Sequence, residues 1–236
     1  MGLAGGTTMK SKNPIVVIIL VGLAIIAAVG IYTLLKPEPE PKIHSATYGY
    51  YSQESRVGEL QFGSADNRTY QFEGEFNIDT TVGEVGVSFH GEVGDFRDSV
   101  PRSKSSGGSY EDSSLPFPTA IDAAIFVDVT REMTFLLPPE RWGGIDVGYS
   151  EQFTSMIPLG GIPEVTVEMT AIEKEDVVVP SGTYENCFVV NGTQPEMDLE
   201  ITLWVTEQGI VPQAEITMAV RGIDHLTLTM KLEHYE

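Results

Sequence analysis

Cysteine is almost missing from this chain of 236 residues, because Cys187 is the only one. A single thiol cannot form an internal disulfide, and it cannot build a cysteine-based metal site. Cys187 falls in the apolar stretch ENCFVV, with no histidine or asparagine beside it in sequence to activate a nucleophile. We therefore predict that this cysteine packs in the core as a small apolar residue.

Basic residues are also scarce. Residues 36–236 contain all 34 Asp and Glu of the chain but only 12 Lys and Arg, so this part has a formal charge of −22. Phosphate backbones and anionic membrane surfaces are bound through cationic side chains. The composition therefore argues against a nucleic-acid-binding protein and against a polybasic membrane-surface module.

The sequence also lacks the motifs of the common catalytic and nucleotide sites. It contains no HExxH, GxSxG, GxGxxG or P-loop pattern and no EF-hand loop. The four histidines, at positions 44, 90, 225 and 234, include no pair at the i, i+2 spacing by which two strand residues share a metal. We predict no catalytic residue, no metal site and no cofactor, and hence a protein that is not an enzyme.

One long apolar run is present, the uncharged 22-residue stretch at 14–35. As a helix it would span about 33 Å, against a bilayer hydrocarbon core of about 30 Å. Lys10 and Lys12 precede the run and no acid does, which places the N-terminal side in the cytoplasm. A cleaved signal peptide ending near Gly30 is the alternative, but the apolar run continues for five residues beyond that glycine.

The predicted organisation follows from that run. Residues 1–13 form a cytoplasmic N-terminus, residues 14–35 a transmembrane signal-anchor helix, residues 36–43 a stiff Pro/Glu linker, and residues 44–236 an extracytoplasmic all-β domain. This predicts a single-pass protein of the cell membrane with its C-terminal domain outside the cytoplasm.

Apolar and polar residues alternate with a period of two from residue 44 onward, which is typical of antiparallel strands with one apolar face. The fold is therefore predicted to be mainly β. The clearest strands fall at 70–78, 85–89, 165–169, 199–205, 214–220 and 226–232, and shorter ones at 46–51, 57–62, 123–129, 176–179 and 185–190.

Gly- and Pro-containing segments separate these strands. Hairpin turns are expected at 181–183, 207–209 and 221–224. Residues 98–118, rich in Ser, Gly and Pro, are expected to form a long loop or a boundary between two sheets. Only residues 147–156 suggest a helical turn.

Two sequons make Asn67 and Asn191 candidates for glycosylation, because both fall at expected turns in a segment predicted to be exported.

The stretches VVVPSGTYENCFVV, at 177–190, and WVTEQGIVPQAEI, at 204–216, carry a resemblance. In order and spacing they resemble consecutive elements of the half-barrel lipoprotein-carrier superfamily, the LolA/LolB-like proteins. The resemblance implies a strongly bent, half-barrel-like antiparallel sheet whose concave apolar face accepts acyl chains, without catalytic residues. A β-sandwich is the alternative, because the chain has enough strands for a second sheet.

If the sheet bends in this way, the apolar faces of the last strands line one trough. The predicted ligand-binding residues are Leu199, Ile201, Leu203, Ile216, Met218, Leu228 and Met230. The sequence therefore favours a membrane-anchored, non-catalytic domain that binds a lipid or another apolar ligand. The alternative is a cell-envelope protein-interaction or structural module without a ligand cavity.

The predicted topology can be tested by protease treatment of intact cells. Protease should remove residues 36–236 and leave a short membrane-embedded fragment, because only the N-terminal segment is shielded. Peptide mapping that finds a mature N-terminus at or before Tyr32 would show instead that the apolar run is a cleaved signal.

Overall fold

A computed structural model describes residues 43–66, 69–94, 103–113, 115–155 and 165–236. The predicted cytoplasmic N-terminus, the signal-anchor helix, the linker up to residue 42 and the sequon asparagine Asn67 lie outside these ranges. Among the helices that are described, none combines the length and the apolar character needed to cross a membrane.

The described residues form eleven strands and one α-helix. The strands are β1 (Ser45–Ser52), β2 (Ser55–Asp66), β3 (Thr69–Thr80), β4 (Gly83–Gly94), β5 (Ser103–Ser113), β6 (Ser150–Ser155), β7 (Val165–Val179), β8 (Gly182–Gln194), β9 (Leu199–Val205), β10 (Gln213–Val220) and β11 (Asp224–Tyr235). Helix α1 (Thr119–Met133) lies between β5 and β6 and is followed by 3-10 turns at Thr134–Leu136 and Pro139–Trp142, and a third short turn, Pro195–Met197, precedes β9.

All eleven strands join one antiparallel sheet in the order β5-β4-β3-β2-β1-β11-β10-β9-β8-β7-β6. This confirms the prediction of a mainly β, antiparallel fold. The β-sandwich alternative is wrong for the described part of the chain, because its strands are not divided between two sheets.

The two ends of the described chain meet in the middle of the sheet. β1 pairs with β11 over the register Ala46↔Tyr235 to Tyr51↔Thr229. The carbonyl of Glu236 accepts a hydrogen bond from the His44 amide at 2.7 Å. The first and last strands are therefore central, and β5 and β6 are the two edges.

Strict alternation predicted the strands well. In β3 the side chains of Tyr70, Phe72, Phe76 and Ile78 are buried while the residues between them are exposed, apart from Gly74. We call the side of the sheet that carries these buried residues the inner face. The three predicted hairpin turns are confirmed as the connections β7–β8, β9–β10 and β10–β11.

The predicted strand at 123–129 is wrong, because these residues lie inside α1. Ile125, Val127 and Val129 are β-branched and evenly spaced, which imitates a strand. The residues buried in the structure also include Ala123, Phe126 and Met133, and this wider set follows the helical repeat.

Two further expectations are corrected at the sheet edges. Residues 98–118, expected as a long loop or a boundary between two sheets, contain β5, which belongs to the same sheet. Residues 147–156, expected to form a helical turn, contain β6. The sequence pattern does not predict β5, because its inward side chains include Lys104 and Ser106 instead of apolar residues. The predicted strands at 165–169 and 176–179 are one strand, β7, whose register shifts twice and so interrupts the alternation.

Two glycine substitutions can test how closely the β9–β10 turn packs on the chain that follows α1. Gly209 has a left-handed φ of 87°, and a Cβ there would lie 2.3 Å from the Pro139 carbonyl oxygen. Gly144 also has a left-handed φ, of 76°, but a Cβ there would meet nothing within 4 Å. Gly209→Ala should therefore lower the melting temperature clearly more than Gly144→Ala, which bears only the backbone strain of about 1 kcal/mol. Equal effects of the two substitutions would contradict this packing.

Candidate functional site

The seven residues predicted to line an apolar trough lie together on the inner face. Leu199, Ile201 and Leu203 of β9 stand opposite Met218, Ile216 and Ala214 of β10. Leu228 and Met230 of β11 continue the same patch, with Leu228 opposite Ile216. The structure thus brings the predicted set together, and its role in ligand binding stays a prediction.

The patch is covered. Each of its seven residues is at most 3% exposed. The cover comes from residues 115–149, which we call the covering segment; it contains α1 and the 3-10 turns that follow. Helix α1 contacts β10 in the middle of the sheet, β4 and β5 near one edge, and β6 at the other.

The covering segment is apolar where it meets the inner face. Phe126, Leu136 and Leu137 are completely buried. The Phe135 ring packs edge-on against Phe72 of β3, with centroids 5.4 Å apart. Trp142 is buried and donates a hydrogen bond from Nε1 to the Leu136 carbonyl at 2.7 Å, which folds the segment back on itself.

Polar contacts fasten the covering segment at the start of α1. Arg221, in the β10–β11 turn, pairs with Asp122 through Nε and Nη2, both at 2.6 Å from the carboxylate. The Arg221 amide also donates to Asp122, and the Thr119 hydroxyl donates to the Arg221 carbonyl. The guanidinium beside Asp122 lowers the pKa of that carboxyl below its ordinary value.

A second fastening lies at the end of α1, where the helix faces edge strand β5. The Glu132 carboxylate accepts from Lys104 Nζ at 3.4 Å and from the Ser106 hydroxyl at 3.3 Å. Asp128 pairs with Arg131 at 2.9 Å, and loss of hydration raises the pKa of Asp128 despite this partner. A cavity of about 200 Å³ lies here, between Asp128 and Arg131 on the helix and Gly108 on the strand.

A third fastening joins the covering segment to the opposite edge. Arg141 Nε donates to Glu151 of β6 at 3.0 Å. Burial raises the pKa of Glu151, although Arg141 acts in the other direction. Both edge strands and the β10–β11 turn are therefore tied to the covering segment by charged groups, and apolar side chains such as Phe72 and Phe135 pack between these contacts.

The outer face of the sheet carries open polar grooves. One of them, of about 560 Å³, is lined by Gln61, Glu73, His90 and Glu92 together with backbone of neighbouring strands. Within the described ranges, no three His, Cys, Asp or Glu side chains lie close enough together to hold a metal ion.

Two residues singled out from the sequence, Asn191 and Cys187, do not belong to this site. Asn191 is not at a turn: it lies inside β8, and its amide donates to Glu200 at 2.8 Å and to Thr202 at 3.1 Å on β9. Cys187 is completely buried, which confirms its prediction as a core residue, and burial raises the pKa of its thiol to about 11.

The sequence interpretation missed the whole covering segment. Two features of the sequence favour a helix here. An acid, Asp122, lies in the first turn of α1 and a base, Arg131, in its last turn, as the helix dipole favours. The pairing of Asp122 with Arg221 across 99 residues could not be inferred, because no local pattern links them.

Comparisons with known proteins give no family. No family model matches the chain, and no curated protein matches it. Among solved structures, Aeromonas veronii immune modulator A aligns over 87% of this chain and 99% of its own, at 8% identity and a TM-score of 0.20. A likeness this low supports no conclusion about fold or function, and the resemblance to the lipoprotein carriers stays a prediction.

The fastening at Asp122 predicts a pH-dependent stability. Because its pKa is lower in the folded protein, the ionised carboxylate stabilises the fold above its unfolded-state pKa, and this contribution is lost as pH falls through the lowered value. Asp122→Asn should therefore lower the melting temperature at pH 7, and the difference from wild type should shrink below the ordinary value of 3.8.

Asp79→Asn, at an exposed position of β3 far along the sequence from α1, is the control and should leave the melting temperature nearly unchanged at pH 7. A deficit of Asp122→Asn that stays constant between pH 7 and pH 3 would show that the charge of Asp122 does not stabilise the fold.

Proposed function

We propose that this protein is a membrane-anchored, extracytoplasmic, non-catalytic domain that binds a lipid or another apolar ligand against a strongly bent sheet. The membrane anchor is residues 14–35, and the domain lies outside the cytoplasm. The ligand lies between the inner face of the sheet and the covering segment, in contact with the predicted trough on β9, β10 and β11.

The positions of the strands that α1 contacts support a bent sheet. Strands lie about 4.8 Å apart, so β5 and β6 would be separated by about 48 Å in a flat sheet of this order. A helix of 15 residues is about 22 Å long, yet α1 contacts β5, β10 and β6. A flat sheet does not permit these contacts, whereas a half-barrel wrapped around the helix does.

A contact at the other end of the strands also supports curvature. The Ser181 amide, in the β7–β8 turn, donates to the Leu232 carbonyl of β11 at 3.1 Å. Three strands separate β7 from β11 in the sheet order. The β7–β8 turn therefore folds back over the sheet.

The observation that carries the proposal is how the apolar face is covered. One continuous stretch of chain covers it in place of a second sheet, and charged pairs tie that stretch to the sheet at Asp122, Glu132 and Arg141. Arg221 and Lys104 are exposed, so their pairs contribute little each, whereas the Arg141–Glu151 pair is mostly buried. On this proposal the covering segment is displaced as the ligand enters, while the sheet stays intact. Displacement exposes the apolar residues of β9, β10 and β11.

The energetics allow binding under one condition. An acyl chain of 16 carbons gains about 13 kcal/mol on leaving water, at about 0.8 kcal/mol per methylene. Association and ordering cost about 4–15 kcal/mol. The gain and the cost are similar, so little is left to offset any further loss of contacts. The trough is already covered, and the ligand must therefore take over the apolar contacts of the covering segment while the sheet stays folded.

The tight packing of the same face favours a second candidate. The protein itself buries all seven trough residues, so no ligand is needed to shield them from water. On this alternative it is an interaction or structural module of the cell envelope, and its partner binds elsewhere on the acidic surface.

Uptake of the fluorophore diphenylhexatriene, which has no polar group, distinguishes the two candidates. Wild-type protein should take it up saturably, and protein purified from membranes should carry lipid detectable by mass spectrometry. Arg221→Gln should speed uptake several-fold, because it removes the side-chain pairing with Asp122 that fastens α1.

Arg56→Gln is the matched control. Arg56 is also partly exposed and pairs with two carboxylates, Glu59 and Glu233, but on β2 and β11 away from α1. Its loss should leave the uptake rate unchanged. Well-folded wild-type protein with neither bound lipid nor saturable uptake would rule out the carrier proposal and favour the interaction module.

A further inference from the structure

Two tyrosine hydroxyls on the inner face of β1 are buried without a hydrogen-bond partner. Tyr48 is 0% exposed and Tyr50 2%, and no described group lies within hydrogen-bond reach of either hydroxyl. Each hydroxyl is the only polar atom of its side chain. Both tyrosines therefore carry an unused donor inside the protein.

The other buried polar atoms without partners are of a different kind. Arg131 Nε has none, but Nη2 of the same guanidinium pairs with Asp128 at 2.9 Å. Glu140 Oε2 has none, but its Oε1 accepts from the Tyr70 hydroxyl at 3.0 Å. These two groups are partly satisfied, whereas Tyr48 and Tyr50 are not satisfied at all.

The residues beside the two tyrosines on the neighbouring strands are apolar, and Tyr184 is close enough to Tyr48 to add to the rise of its pKa. Tyr50 stands between Gly58 of β2 and Met230 of β11, and its ring lies 5.2 Å from that of Phe76. Tyr48 stands between Leu60 and Leu232, both completely buried. Because Met230 also belongs to the predicted trough, the tyrosines adjoin the proposed binding face.

A buried hydroxyl without a partner destabilises the free protein, and phenylalanine would fill nearly the same space without that cost. Burial also raises the pKa of both tyrosines, so both hydroxyls stay protonated and each keeps a hydrogen that it can donate to an acceptor. An acceptor that arrives with a ligand would satisfy them.

We infer that the ligand is an uncharged lipid with an acceptor oxygen, such as an ester or amide carbonyl, and that the Tyr48 and Tyr50 hydroxyls donate hydrogen bonds to it. This rests on the proposed function. A carboxylate does not fit as well, because the flanking residues on β2 and β11 are glycine, leucine and methionine and offer no cation.

The test compares three competitors of similar length for displacement of diphenylhexatriene: methyl laurate, tridecane and laurate at neutral pH. Wild-type protein should bind methyl laurate most tightly. Tyr48→Phe and Tyr50→Phe should each weaken methyl laurate by about tenfold, since one hydrogen bond is lost, and leave tridecane unchanged. Both variants should also raise the melting temperature of the ligand-free protein by about 2–4 °C.

Tyr70→Phe is the control, because the Tyr70 hydroxyl already has a partner in Glu140. It should lower the melting temperature and leave the preference for methyl laurate over tridecane intact. Unchanged methyl laurate binding by both β1 variants, with normal diphenylhexatriene uptake, would overturn the inference and leave the proposed function standing.

Two further outcomes are decisive. A lower melting temperature of both β1 variants would show that the hydroxyls have partners in the free protein, which overturns the inference at its premise. Absence of diphenylhexatriene and tridecane binding to the wild type would overturn the proposed function, and the inference with it.

Discussion

The constraint on which this structure depends is the position of its two edge strands in the chain. β5 and β6 follow each other in sequence but lie at opposite edges of the eleven-stranded sheet. The chain between them must therefore cross from one edge to the other, and it crosses the apolar face. The connection is thus also the cover: residues 115–149 join the two edge strands and contact the sheet on the way.

The two faces of the sheet carry different kinds of side chains. The inner face is filled by aromatic and aliphatic side chains, such as Phe72 against Phe135. The outer face of β2 and β3 places Glu59 directly opposite Glu75, a pair of like charges that disfavours close approach of another acidic molecule. Acids such as these lie on the outer surface, whereas the buried acids Asp128 and Glu132 belong to α1.

The sequence predicts those parts of the fold in which one face of a strand is apolar and the other is wet. β3, β9, β10 and β11 satisfy that condition, and the seven predicted trough residues lie side by side as expected. β5 could not be recognised because its inward residues Lys104 and Ser106 meet a carboxylate of α1. Helix α1 was mistaken for a strand because β-branched residues at 125, 127 and 129 imitate a period of two.

The candidate site was predictable only in part for a related reason. Periodicity identifies which side chains share a face, but it does not reveal what packs against them. The contacts that fasten the covering segment join residues far apart in sequence, as Asp122 and Arg221 do. The unpaired hydroxyls of Tyr48 and Tyr50 are likewise a property of the assembled core.

The pairing of β1 with β11 has a consequence for how the chain acquires its structure during synthesis. β1 finds one of its two neighbours only when β11, Asp224–Tyr235, has been made. Until then the β1–β5 meander has an open edge in the middle of the future sheet, and such edges invite pairing with other chains. Contacts between the two ends of a chain also slow folding. The nascent domain is therefore most vulnerable to aggregation until Asp224–Tyr235 becomes available to pair with β1.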